Sequence, residues 1–92
     1  DKEDLSWALL GMAAVYAARG DARPGAVVLA AAKALLDGMG ADFKPFERQL
    51  YEETDQQLER ALEGAERTGL QEQGRSMSIE DAVAFATHNG LA

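Results

Sequence analysis

The stretch LSWALLGMAAVYAARGD, residues 5–21, decides the class of the fold. Its apolar positions Leu5, Leu9, Met12 and Tyr16 step by four, three and four, which keeps them on one face of a helix. Trp7, Leu10, Ala14 and Val15 occupy the remaining sides. A helix apolar nearly all round is covered from more than one direction. Gly20 and Asp21 supply its stop, since glycine accepts the left-handed conformation that closes a helix.

Reading outward, Pro24 suits the first turn of a second helix over residues 24–39, because its missing N–H costs nothing there. The core of that helix is Val28, Leu29, Ala32, Leu35, Leu36 and Met39, and its alanines let a neighbouring helix approach closely. With so short a link, the first two helices are expected to form a tight antiparallel hairpin. Gly38, Gly40 and Pro45 bracket a loop around Phe43. A third helix then runs over residues 46–62, with Phe46, Leu50, Thr54, Leu58, Ala61 and Leu62 on its stripe. Gly64 and Gly69 each cost about 1 kcal/mol in a helix interior, so residues 64–74 read as a short or frayed helix at best. Ser78 caps a last helix over residues 79–88, with an acidic first turn and with Ile79, Ala82, Val83 and Ala86 facing inward. No segment alternates as a strand does, and the class is all-α: a helix hairpin plus two further main helices.

Ninety-two residues, 47% hydrophobic and 27% charged, describe one small soluble domain, with a helix pair over residues 1–40 and closing helices over residues 45–92. No apolar run is long enough for a membrane span. Sixteen acidic residues against nine basic ones leave a net charge of -7, which disfavours a nucleic-acid partner, since that affinity rests on Lys and Arg displacing counterions. The charge is uneven: residues 1–46 carry six acids and five bases, residues 47–92 ten and four. The absence of cysteine removes disulfides, thiolate zinc sites and a cysteine nucleophile, and fits a reducing, cytoplasmic setting. An opening Asp1, with no initiator methionine or signal segment, leads us to expect a piece of a longer protein.

Chemistry-bearing constellations are sparse. Glu47, Glu52, Glu53, Asp55, Glu59 and Glu63 include i, i+4 carboxylate pairs, but Arg48 and Arg60 interleave with them and a solvated helix face explains the cluster. His88 has no metal-binding side chain at positions 84, 85, 91 or 92 and reads as a helix-end histidine beside Asn89 and Gly90. Gly38-Met39-Gly40 follows no strand and precedes no Gly-Lys-Ser/Thr, so it is helix punctuation rather than a phosphate loop. Ser76 has no histidine nearby in sequence, and capping accounts for Ser78. Trp7 and Tyr16 at helical spacing read as core or partner contacts. The residues thus name no catalytic, cofactor-binding or metal-binding group, and a non-enzymatic chain without cofactors is expected.

Leu9, Met12, Ala13, Tyr16, Gly20, Gly25, Leu29 and Ala32 fall at the spacing of a tetratricopeptide-type helix pair, which the first two helices resemble. Leu9 stands where tryptophan is commonest, and no proline ends the unit. A longer resemblance is carried by L-x-G-M-A-A-V-Y-A-A-R-G-D at 9–21, L-A-A-A-K-A-L at 29–35, P-x-E-R at 45–48 and G-R-S-M-S-I-E-D-A-V-A-F-A at 74–86. Together these are similar to the C-terminal end of large bacterial LuxR-type and related transcriptional regulators, which join a P-loop ATPase core to tetratricopeptide-like repeats and often to a DNA-binding domain. Asp81 replaces the second Glu of the family's usual ending. The resemblance implies a scaffold or protein-interaction role in signal transduction, with upstream helical repeats as the natural neighbour. It carries over neither ATPase nor DNA binding, because this chain has no P-loop and no basic recognition helix. A generic helical adaptor, or the supporting subdomain of an enzyme whose active site lies elsewhere, are the competing readings.

A repeat cut from its array bares the face that met its neighbour. With Leu9, Met12 and Tyr16 assigned to the second helix, Trp7, Leu10, Ala14 and Val15 form the expected interface. A two-fold homodimer through the first helix is the expected consequence; the alternative is a monomer in which Trp7 folds back onto the third or fourth helix.

Overall fold

Asp1 caps the first helix. Its carboxylate accepts the backbone N–H groups of Glu3 at 2.7 Å and Asp4 at 3.2 Å, donors that a first helical turn leaves without partners of its own. The computed structural model describes residues 1–88. Five helices follow one another: α1 (Lys2–Ala18), α2 (Ala22–Gly38), α3 (Pro45–Ala61), α4 (Gly64–Arg75) and α5 (Ile79–His88). No strand occurs among the described residues, so the all-α class is the observed one. Asn89 and Gly90, read above as neighbours of His88, and the rest of the closing segment lie outside the described residues.

Gly20, at φ 83°, ends α1 as expected. The N–H of Gly20 donates to Ala17 O and that of Asp21 to Tyr16 O, the paired bonds that satisfy the last carbonyls of a helix. Gly40, at φ 68°, ends α2 in the same way, with Ala41 N–H returning to Leu36 O. The chain therefore reverses tightly and α2 lies antiparallel along α1. Near one end of the pair the buried Ser6 hydroxyl donates to Ala32 O at 2.9 Å. Near the other, a Cβ at Gly25 would stand 3.3 Å from Tyr16 Cβ and 3.2 Å from Leu58 Cδ2, so the missing side chain lets three helices meet. Leu9, Tyr16, Leu29, Ala32 and Leu36 are buried in this hairpin as expected; Met12 is only partly covered.

Leu10 departs from expectation. Assigned to the bare side of α1, it is fully buried. At 3.6 residues per turn Leu10 shares a side with Ser6, Ala13 and Ala17, all buried, so that side of α1 faces inward. The Gln57 side-chain amide donates to Ala17 O at 3.0 Å, tying α3 to the end of α1. On the opposite flank the Tyr16 hydroxyl donates to Ala86 O at 2.6 Å, which ties α5 down.

The weak segment is not frayed. Residues 64–75 form the twelve-residue α4 despite Gly64, Gly69 and Gly74, because tertiary contacts outweigh propensity. Arg67 links α4 to Asp55 and, at 3.5 Å, to Glu59 of α3, and Arg23 of α2 pairs with Glu66 at 2.6 Å. Gly74 decides the packing. A Cβ there would lie 2.2 Å from Val27 O and 2.9 Å from Ala30 Cβ, so α4 crosses directly against the backbone of α2. The hairpin is thus joined by three further helices rather than two.

The stripe expected on α3 is also narrower than its sequence suggests. Thr54 and Leu58 are buried and Leu50 and Leu62 are partly covered, whereas Ala61 is exposed and Phe46 stands 68% exposed. Phe46 lies in the first turn, beyond the reach of the neighbouring helices that cover the middle of α3. At the start of α5 the Ser78 hydroxyl accepts the Asp81 N–H at 3.0 Å, the cap its sequence indicates.

Candidate interaction surface

With α2, α3 and α5 around it, α1 keeps one side bare. The uncovered arc carries the row Glu3, Trp7, Gly11, Val15 and Arg19, each four residues from the next, flanked by Ala8, Ala14 and Ala18. Trp7 is 49% and Val15 46% exposed. No charge interrupts the arc between residues 5 and 18, so its middle is apolar and its ends are charged. Gly11 stands at the centre, with nothing within 4 Å of where its Cβ would be. Of the four residues expected at an interface, Trp7 and Val15 lie on this arc, Ala14 sits partly buried at its edge, and Leu10 does not belong to it.

Trp7 also borders a depression of about 160 Å³ shared with Asp4, Phe43, Lys44 and Glu47. The exposed Phe46 adjoins Glu47 at the same end of the molecule. A second, larger groove of about 310 Å³ lies on the other flank of α1, walled by Leu9, Leu35, Ile79 and Ala82 and rimmed by Lys2 and Arg75. Arg75 there is already held by Glu72.

The remaining constellations stay apart. Glu52, Glu53, Glu59 and Glu63 are exposed along α3 and its end, and Asp55 is taken up by Arg67. Among the described residues no three His, Cys, Asp or Glu side chains converge as a metal site requires. His88 is exposed at the end of α5. No helix is long and apolar enough to cross a membrane, again among the described residues.

Perturbed ionisations trace packing and turns. The Phe43 N–H donating to the Asp42 carboxylate, with the Arg48 guanidinium beside it, holds that carboxyl below its usual range. Burial raises the phenols of Tyr16 and Tyr51. The Tyr51 ring lies 5.1 Å from that of Phe43, closing the loop before α3 onto the core.

Three contributors escape a reading of the sequence. Ser6 looks like a polar interruption of an apolar run, yet its hydroxyl is satisfied inside the hairpin. Arg67 looks like one more surface charge, yet it is largely covered between α3 and α4, with its Nε buried and unpartnered. Gly74 looks like a helix breaker and acts as a contact. The chain matches no protein-family model, and no curated protein or solved structure shows significant similarity to it.

Proposed function

We propose that this chain is a non-catalytic helical scaffold whose outer α1 row docks against another helix. The observation that carries the reading is the uncharged stripe of Trp7, Gly11 and Val15, with Trp7 and Val15 half exposed, on a helix whose inner sides are packed. A contiguous apolar surface of this kind is the mark of an interaction site. The close approach of α1 and α2 at Gly25 supports the tetratricopeptide-type reading, in which a small residue stands at that place. Together with the sequence likeness at residues 9–21 and 74–86, it favours a place at the end of the tetratricopeptide-like region of a bacterial, cytoplasmic signalling or transcriptional regulator. The docked element is then a neighbouring repeat or a partner protein, and the chain touches no nucleic acid itself.

A photo-crosslinker at position 7 of the intact protein tests this. The expected result is a covalent adduct to a helical segment, of the same or another polypeptide. Irradiation that yields no protein adduct would overturn the reading.

A further inference from the structure

We propose that the groove between α1, α2 and the start of α5 binds a free aliphatic carboxylate of about eight carbons, with its chain along the apolar walls and its carboxylate at Lys2. Leu9, which walls the groove, is turned about 200° around α1 from Trp7. The site is therefore separate from the docking row and does not depend on the scaffold reading.

The groove follows from small residues placed where a helix usually presents bulk. Ala31, Ala34, Leu35 and Gly38 line it and share one face of α2. Three of these four are small, so the face is a trough where a row of leucines would be a ridge. Ala82 adds a further small residue from α5. Leu35 and Ile79 are only partly covered, so apolar surface stays in water until something fills the space. The lining contains no aromatic ring, which favours an aliphatic chain over a ligand that needs a stacking partner.

Charge selects the head group. The chain carries a net charge of -7, yet the only charged side chains lining this groove are the cations Lys2 and Arg75. The neighbouring depressions differ: the one at Trp7 has Glu3, Asp4, Asp42 and Glu47 in its walls, and the one at the α1–α2 turn has Asp21 and Glu66. Arg75 is held at the rim by Glu72. Lys2 is exposed and takes part in none of the ion pairs among the described residues, so its ammonium is the group that meets a carboxylate. Glu80 and Asp81, in the first turn of α5, are exposed and do not line the groove.

The volume sets the length. At about 310 Å³ the groove stands at the lower end of small-ligand clefts. Counting roughly 30 Å³ for each water-sized group, it holds about ten non-hydrogen atoms, the size of octanoate.

Titration of octanoate into the nitrogen-labelled protein, followed through its amide resonances, tests the site. Saturable shifts are expected at Leu9, Ala34, Ile79 and Ala82, with a dissociation constant of about 0.1–1 mM, while the Trp7 indole N–H stays in place. Butyrate, half as long, should bind about tenfold or more weakly, and octylamine, which sets an ammonium against Lys2, should not saturate the site. Lys2→Glu should weaken octanoate about threefold or more, and an acid in the first turn suits α1, so this variant keeps its fold. Ala34→Phe, which fills the trough, should weaken binding about tenfold or more, with circular dichroism verifying the helices. No saturable shift up to about 10 mM octanoate, shifts centred on Trp7, octylamine binding as tightly as octanoate, or unchanged binding by Lys2→Glu would each overturn the proposal.

Discussion

α1 and α3 are each 17 residues long and lie side by side, yet they are built on opposite plans. α1 is uncharged from residue 5 to residue 18 and buries six residues on three flanks. α3 is charged along most of its surface and buries only Thr54 and Leu58. One helix is held by the volume it fills, the other by a narrow seam and by ion pairs at its far end. The difference teaches where apolar character stops being informative: on α3 an apolar position marks the inside, whereas on α1 every side is apolar and only the surrounding helices choose which sides are covered.

The largest test of that contrast is Leu10→Ala. Removing a fully buried leucine from between α1 and its neighbours should cost about 2–5 kcal/mol in urea unfolding, against less than about 0.5 kcal/mol for Glu53→Ala on the wet face of α3. Comparable losses would mean that α1 and α3 contribute alike. Next is Gly74→Ala. Helix propensity alone favours the alanine by about 1 kcal/mol, but its methyl would strike Val27 O and overpack the crossing of α4 on α2. A net loss of about 1–3 kcal/mol is expected; a gain in stability would show that the crossing is looser than described.

Tyr16→Phe removes the hydroxyl that donates to Ala86 O and leaves that carbonyl without its side-chain donor. The expected cost is about 1 kcal/mol, with faster amide exchange concentrated in α5. The same phenol supplies a pH signature: burial raises its pKa, so the stability it contributes is complete below about pH 10 and is lost as pH climbs through the raised folded value. Tyr16→Phe should flatten that alkaline loss. The smallest effect belongs to the turn before α3. Asp42 is lowered in the folded state, so its contribution is present above the ordinary aspartate value of 3.8 and disappears as pH falls through the lower one. Unfolding curves of wild type and Asp42→Asn should therefore converge on acidification; a gap that widens instead would contradict the Phe43 and Arg48 contacts.

Much of the backbone is legible in local chemistry. Glycines 20 and 40, prolines 24 and 45 and the Ser78 cap mark helix ends within a residue or two, because each acts through its own conformational or capping preference. Two things are not local. Gly74 is a breaker by propensity and a contact by position, and only the backbone of α2 lying against it shows which applies. Leu10 and Val15 are alike in sequence terms, and nothing in a helix apolar all round says that packing covers one and leaves the other bare. The candidate surface was legible to the same degree: its helix and two of its residues follow from the periodicity, while its boundary depends on packing between segments distant in the chain.

Trp7 is the single tryptophan, and it stands half in water on the face in question. The protein thus carries its own fluorescent gauge. With the arc bare the indole emits as a hydrated ring, and anything that covers it shifts the emission to the blue and shields it from iodide, while Tyr16 and Tyr51 stay silent under excitation at the red edge of absorption. Occupancy of this one surface can be followed without a label, at concentrations far below those needed to weigh a complex.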